Sequence, residues 1–294
     1  MKSVRILVKA GLLAGLTGFA AYAYMVWNNN RPAPQPDQAQ LVAALERSIK
    51  WLETNQIALL SNRKAPTLWY FIQKAGELTG DPRLINLFRH HEERFLVNRF
   101  DLWRPLFYPE SWIPVRYENI AALPDYNRHF IYALTCDEDL GQEPDISAQN
   151  NSHFCDSKPL SPACATHQLM GIRLLQRNEC GNEEELQYTV QHLQQRIRRQ
   201  LTWDPRIVDV YIQRALMLAE SGAGSSIKPV WLQNVLDAQR ADGGWGGLDP
   251  LISLGSRHLV FHPAGIGIRP VNSDFHATAQ GVLLLSILTQ STRP

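Results

Sequence analysis

The sequence predicts an all-α fold, a ring of helical hairpins preceded by one N-terminal transmembrane helix. Three observations point there. Apolar residues recur at helical spacing in nearly every segment, and strand-type alternation of Val, Ile and Thr is nearly absent. From Ala10 to Trp27 the chain also carries no charge over about 18 residues, close to the minimum for a membrane span.

Lys2, Arg5 and Lys9 precede that run, and positive charge before a span holds its end in the cytoplasm. The chain therefore divides into a cytoplasmic N-terminus at 1–9, a signal anchor at 10–27, a Pro-rich linker at 28–37 and one domain at 38–294. The expected location is the inner membrane, single-pass, with the domain on the periplasmic side. A cleavage site at "AYA" (21–23) is the competing reading, but Tyr24, Met25, Val26 and Trp27 carry the apolar run past it.

Leu41, Val42, Leu45, Ile49 and Leu52 form the apolar stripe of the first domain helix. Pro66 and Gly80 bracket the next, the usual asymmetry of helix ends. Asp81-Pro82 and Asp204-Pro205 each read as an N-cap and first helical residue. Further helices fit 125–135, 162–177, 183–200, 229–240 and 275–289, giving nine or ten after the anchor. "ELQYTVQHLQQRIRRQL" is amphipathic, as an outer helix should be, whereas "ATAQGVLLLSIL" is apolar all round, as an inner one should be. The long irregular stretches 99–124, 137–161 and 241–272 are expected to fold over one end of the ring.

Lys and Arg total 29 against 28 acidic residues, so no basic stripe is present for nucleic acid. "QQRIRRQ" (194–200) and "RHHEER" (89–94) read as solvated faces, and "CDEDLG" (136–141) as an exposed loop. Cys136, Cys155, Cys164 and Cys180 fall in one window, which in an oxidising compartment suggests two disulfides with three connectivities open. A metal site is the weaker alternative: Cys164 and His167 lie three apart, and His153 and Cys155 two apart, but no C-x-x-C is present. "NSHF" (151–154), followed later by "CATHQ" (164–168), matches "NSDFHATAQ" (272–280), which places Cys164 and His276 at equivalent positions of an internal repeat.

"VWLQNVLDAQRADGGWGG" (230–247) is the most specific stretch. A helix ending in Gln239, then Asp-Gly-Gly-Trp-Gly, resembles the repeat of the terpenoid cyclase and protein prenyltransferase superfamily. "SIKWLETNQ" (48–56) is similar to the first part of such a repeat. The resemblance implies an (α/α) toroid with a central cavity. It also implies that Gln239 ties a helix end to the following turn and that Trp245 packs on the helix. The Asp-x-Asp-Asp motif of the cyclases is not matched by Asp137-Glu138-Asp139. "DFHATAQGVLLLSI" is similar to the histidine segment of the zinc-dependent transferases, but no Asp-x-Cys lies between Trp245 and His276. The expectation is therefore no cofactor, with zinc as the metal such a histidine would take.

Ser273 or Asp274 can cap the last helix, which places His276 in its first turn and, on an inner helix, at the mouth of the ring. His262 and Arg269, with His258 and Arg257, would line the rim. A second group, "PDYNRHFIY" (124–132), carries Arg128, His129 and Tyr132, residue types that polysaccharide lyases use to neutralise a uronate and move protons. The candidate catalytic residues are His276, His129 and Tyr132; the candidate ligand-binding residues are Trp245, Asp274, Arg269, His262 and Arg128. The leading expectation is a pocket for a small hydrophobic, isoprenoid-type ligand taken from the membrane. The alternatives are a polysaccharide lyase or hydrolase of the cell envelope and a non-catalytic assembly module. Whether the protein is an enzyme stays open at this point.

Overall fold

A computed structural model describes residues 2–61, 65–111, 113–159, 161–206, 209–247, 250–254, 257–262, 265–270 and 272–290. Helices dominate, as expected. Ten have nine or more residues: α1 (Lys2–Asn28), α2 (Gln38–Thr54), α3 (Pro66–Thr79), α4 (Pro82–Phe95), α5 (Asp125–Thr135), α6 (Cys164–Arg177), α7 (Glu183–Trp203), α8 (Asp209–Glu220), α9 (Pro229–Asp237) and α10 (Phe275–Gln290).

The capping chemistry explains many of the boundaries. Asp37 and Gln40 close a capping box on α2. Asp81 accepts from the Arg83 backbone N–H ahead of Pro82, and Gly80 takes φ +69° to end α3. Asn182 caps α7, whose first turn holds Glu183, Glu184 and Glu185 at the positive pole of the helix dipole. Asp204 follows α7 at its C-terminus, and its carboxylate pairs with Arg206 and Arg214; the described part of α8 begins at Asp209.

Packing follows the apolar faces. Helix α10 is buried from Ala277 to Ser286 and packs on α2, α3 and α8. From α4 the contacts run through α3, α10, α8 and α6 to α5, while α7 packs on α6 and α8. "RHHEER" is not wholly solvated. Leu84, Leu87, Phe88 and His91 share the helical stripe, so His91 is buried and stacks on Trp69 at 4.1 Å. The irregular stretch 241–272 contains a small antiparallel sheet, β1 (Pro250–Leu254), β2 (Arg257–His262) and β3 (Gly265–Pro270). Its register pairs Arg257 with Pro270 and His262 with Gly265.

The cysteines pair as Cys136–Cys180 and Cys155–Cys164, which settles the connectivity. Both bonds tie down the ends of α6: Cys164 is its first residue, and Cys180 lies three residues beyond its last.

Among the described residues no helix is long and apolar enough to cross a membrane. The side chains of residues 1–10 and 14 lie outside the described set. Leu12, Leu13, Leu16 and Phe19 of α1 are exposed. Past α1 the chain is clasped to the domain. Asn29 is buried, donates to the Leu201 carbonyl at 2.6 Å and accepts from the Tyr211 hydroxyl at 2.8 Å, while the Trp231 indole N–H donates to its carbonyl at 3.0 Å.

Candidate functional site

The first turns of α6 and α10 and the start of α8 carry the most unusual chemistry. Asp274 caps α10 by accepting from the Ala277 N–H at 2.9 Å, and its own N–H donates to the Trp245 carbonyl at 2.9 Å. His276 therefore sits in the first helical turn. Its Nδ1 lies 2.8 Å from Oδ2 of Asp209, the first described residue of α8. The Asp209 carboxylate is almost wholly buried, whereas 43% of the His276 side chain stays exposed. Gln280, one turn further on, places Nε2 3.3 Å from the same Nδ1.

Burial pushes the His276 pKa down, but the Asp209 hydrogen bond and charge, with the nearby Asp274 charge, outweigh it and hold the pKa above its ordinary value. Burial raises Asp274. His167, in the first turn of α6, moves the other way: burial and then the positive charge of His276 bring it down to about 4. The two imidazoles thus interact and are driven apart in opposite directions.

His167 also forms one wall of a cleft of about 290 Å³, with Asp125, Tyr126, Phe154, Lys158 and Gln168. The Tyr126 ring stacks on His167 with centroids 4.2 Å apart. Gln168 is 1% exposed. Its Nε2 donates to the Gln149 and Asn151 carbonyls at 2.8 and 2.7 Å, and its Oε1 has no hydrogen-bond partner. A buried acceptor left unmet costs free energy unless a ligand donor reaches it.

The other candidates are placed as follows. His129 is fully buried, with Nε2 2.9 Å from Asn150 Oδ1 and its pKa pushed down to about 4 by burial. Tyr132 is half-buried, with its ring beside Gly141. Arg128 is engaged by Asp145 and Asp125 and donates to the Ala121 carbonyl. These three do not converge on the cleft: Arg128 and His129 close a local network around 121–150. Trp245 is buried, and its N–H and indole N–H bond Thr278 Oγ1 and the Val235 carbonyl. The side chains of Arg269 and His262 lie outside the described residues. Gln239 donates to the Gly243 carbonyl at 2.9 Å and to the Ala44 carbonyl at 2.8 Å, and Gly243 turns at φ +94°.

All four cysteines are in disulfides, so the donor set around His276 holds no thiolate and does not fit a transferase-type zinc site. Among the described residues, the group able to hold a metal is His153, Asp156 and His192, which does not include His276.

Sequence reasoning missed Asp209 and Gln168, and it read His167 only as a partner of Cys164 in the weaker metal alternative. Asp209 stands alone among apolar residues in "RIVDVYIQ", a carboxylate on an inward-facing helix. His167 and Gln168 occupy the positions matched by Ala279 and Gln280 in the internal repeat, so the repeat carried a signal for both. Compared with known protein families, curated proteins and solved structures, the chain matches none.

Proposed function

We propose that this chain is a membrane-tethered, extracytoplasmic enzyme that cleaves an acidic polysaccharide by acid–base chemistry at the His276–Asp209 pair. The observation that carries the proposal is the opposed pair of histidines, His276 raised by Asp209 and His167 lowered by burial. Groups whose surroundings drive their pKa values apart divide the roles of acid and base. Asp209 holds Nδ1 of His276, which leaves Nε2 to give up a proton. His167, neutral at physiological pH, is the base. In an elimination it takes the proton from the carbon beside the uronate carboxylate, the adjacent C–O bond breaks as the C=C bond forms, and His276 protonates the leaving oxygen.

The cleft supports the same reading. The Tyr126–His167 stack offers a flat face for a sugar ring, Ser161 a hydroxyl, and Lys158 a positive charge for a carboxylate. The lining is mostly apolar surface, and it is Lys158 and Asp125 within it that favour an acidic saccharide over the isoprenoid-type ligand. The run of neighbouring helices from α4 to α5 supports a closed toroid, the exposed apolar face of α1 supports an anchor, and the two disulfides support an oxidising compartment.

The test is incubation with a panel of uronate-containing and neutral glycans. Elimination yields an ultraviolet-absorbing unsaturated end, and hydrolysis yields a new reducing end with no chromophore. We expect the unsaturated product, with activity reduced at least about a hundredfold in His276→Ala and His167→Ala. Hydrolysis would leave the site and overturn the elimination; binding without any product would make the chain a non-catalytic module.

A further inference from the structure

We propose that His153, Asp156 and His192 form a zinc site that braces the wall of the cleft. Their donor atoms all lie within 4.8 Å of one another. Nδ1 of His153 is 2.7 Å from Asp156 Oδ2, and Nε2 of His192 is 3.8 Å from the same oxygen. The residues come from two elements: His153 and Asp156 from the segment before α6, and His192 from the middle of α7.

Three features argue for a built site. First, His192 Nε2 is buried and has no hydrogen-bond partner, although it is directed at Asp156. Second, the carboxylate is already oriented: Arg196 holds Asp156 Oδ1 and leaves Oδ2 facing both imidazoles, the arrangement by which outer groups aim metal ligands. Third, the backbone between the ligands is fixed. The Arg196 Nη2 donates to the Cys155 carbonyl at 2.7 Å, and the Cys155–Cys164 disulfide anchors that residue to α6.

The donor set favours zinc. Two imidazoles and one carboxylate suit a tetrahedral ion, with the fourth position left for water or an added ligand. Bond lengths near 2.0–2.2 Å need donor atoms roughly 3.3 Å apart. With Asp156 held by Arg196, rotation of the His153 side chain, 61% exposed, adjusts the spacing. The Asp156 carboxylate removes one positive charge from the ion and its ligands, and Arg196 on its other oxygen restores it. Phe154, between the two ligands of this segment, and Lys158, two residues past Asp156, line the cleft, so the metal would stiffen the cleft without touching its contents.

The full chain, stripped with a chelator, is titrated with zinc chloride, and bound metal is counted after dialysis. One zinc per chain is expected. His153→Ala and His192→Ala should each weaken binding at least about tenfold, whereas His276→Ala should leave it unchanged. Far-UV circular dichroism checks that the variants fold, and the isosteric Asp156→Asn should weaken binding without a change of shape. Failure to retain zinc, retention unaffected by the His153 and His192 variants, or loss in His276→Ala would each overturn the proposal. None of these outcomes depends on glycan cleavage.

Discussion

Helices α6 and α10 begin with matching sequences and are held in opposite ways. Helix α6 is tied at both ends, by Cys164 at its first residue and by Cys180 just past its last. Helix α10 has no such tie; it is enclosed by α2, α3 and α8 along its apolar length. Where α6 spends the repeat position on a disulfide, α10 presents His276 to Asp209. The conserved part of the pattern within this chain is interior. Thr166 donates to Gln213 Oε1 at 2.8 Å, Thr278 accepts from the Trp245 N–H at 3.1 Å, and Gln168 and Gln280 are both buried with Oε1 unpartnered. The shared motif thus builds the same packing, and the first turn is where the two helices specialise.

The disulfides give the largest expected effect on this contrast. Replacing Cys136 and Cys180 together by serine releases a loop of 44 residues and should cost about 4 kcal/mol of folding stability. The same change at Cys155 and Cys164, 9 apart, should cost about 2.6 kcal/mol. Urea denaturation of both double variants checks the order; a costlier short loop would mean that Cys155–Cys164 carries native-state interactions beyond chain entropy.

Next in size are the two threonines. Thr166→Val leaves Gln213 Oε1 without its donor and Thr278→Val strands the buried Trp245 N–H, each at a cost of about 1 to 2 kcal/mol. Similar losses in both helices would confirm that the repeat serves packing. A loss confined to α10 would break the equivalence.

The smallest effect is the pH dependence of the His276–Asp209 pair. Its folded pKa lies above the unfolded value of 6.5, so its stabilisation is complete below about pH 6.5 and fades as pH rises through the folded value. With His276 partly exposed, the pair should contribute no more than about 1 kcal/mol. The stability difference between the wild type and His276→Gln should shrink as pH rises through that range. A constant difference would show that folding leaves the His276 pKa unshifted, and a difference that grows with pH would show that it is lowered.

The all-helical class was legible because period 3.6 apolar patterning and caps such as Asp81, Asn182 and Gly80 act within a few residues of where they are read. The placement of His276 in a first turn was legible for the same reason. The β1–β3 sheet was not, since "PLISL" and "RHLVFH" lack the alternation that marks a half-buried strand and "GIGIRP" shows it only over Ile266 and Ile268, among glycines and a proline that strands disfavour. Arg128 and His129 looked like site residues because composition alone cannot tell a polar group facing a ligand from one bonded to Asp145 or Asn150.

By itself the sequence determined the helical class, caps such as Asp81 and Gly80, that the last helix is enclosed, and that Cys164 and His276 hold equivalent places; it misplaced Asp204, which follows α7 instead of opening α8. Tertiary structure alone decided which cysteine meets which, that His276 pairs with Asp209, 67 positions before it, and that half-buried His167 feels the charge of His276 and is driven the other way. Local elements obey short-range sterics and hydrogen bonds, which a few neighbouring residues specify. Pairings and pKa shifts depend on distance and dielectric between residues far apart in the chain, and those exist only once the helices have packed.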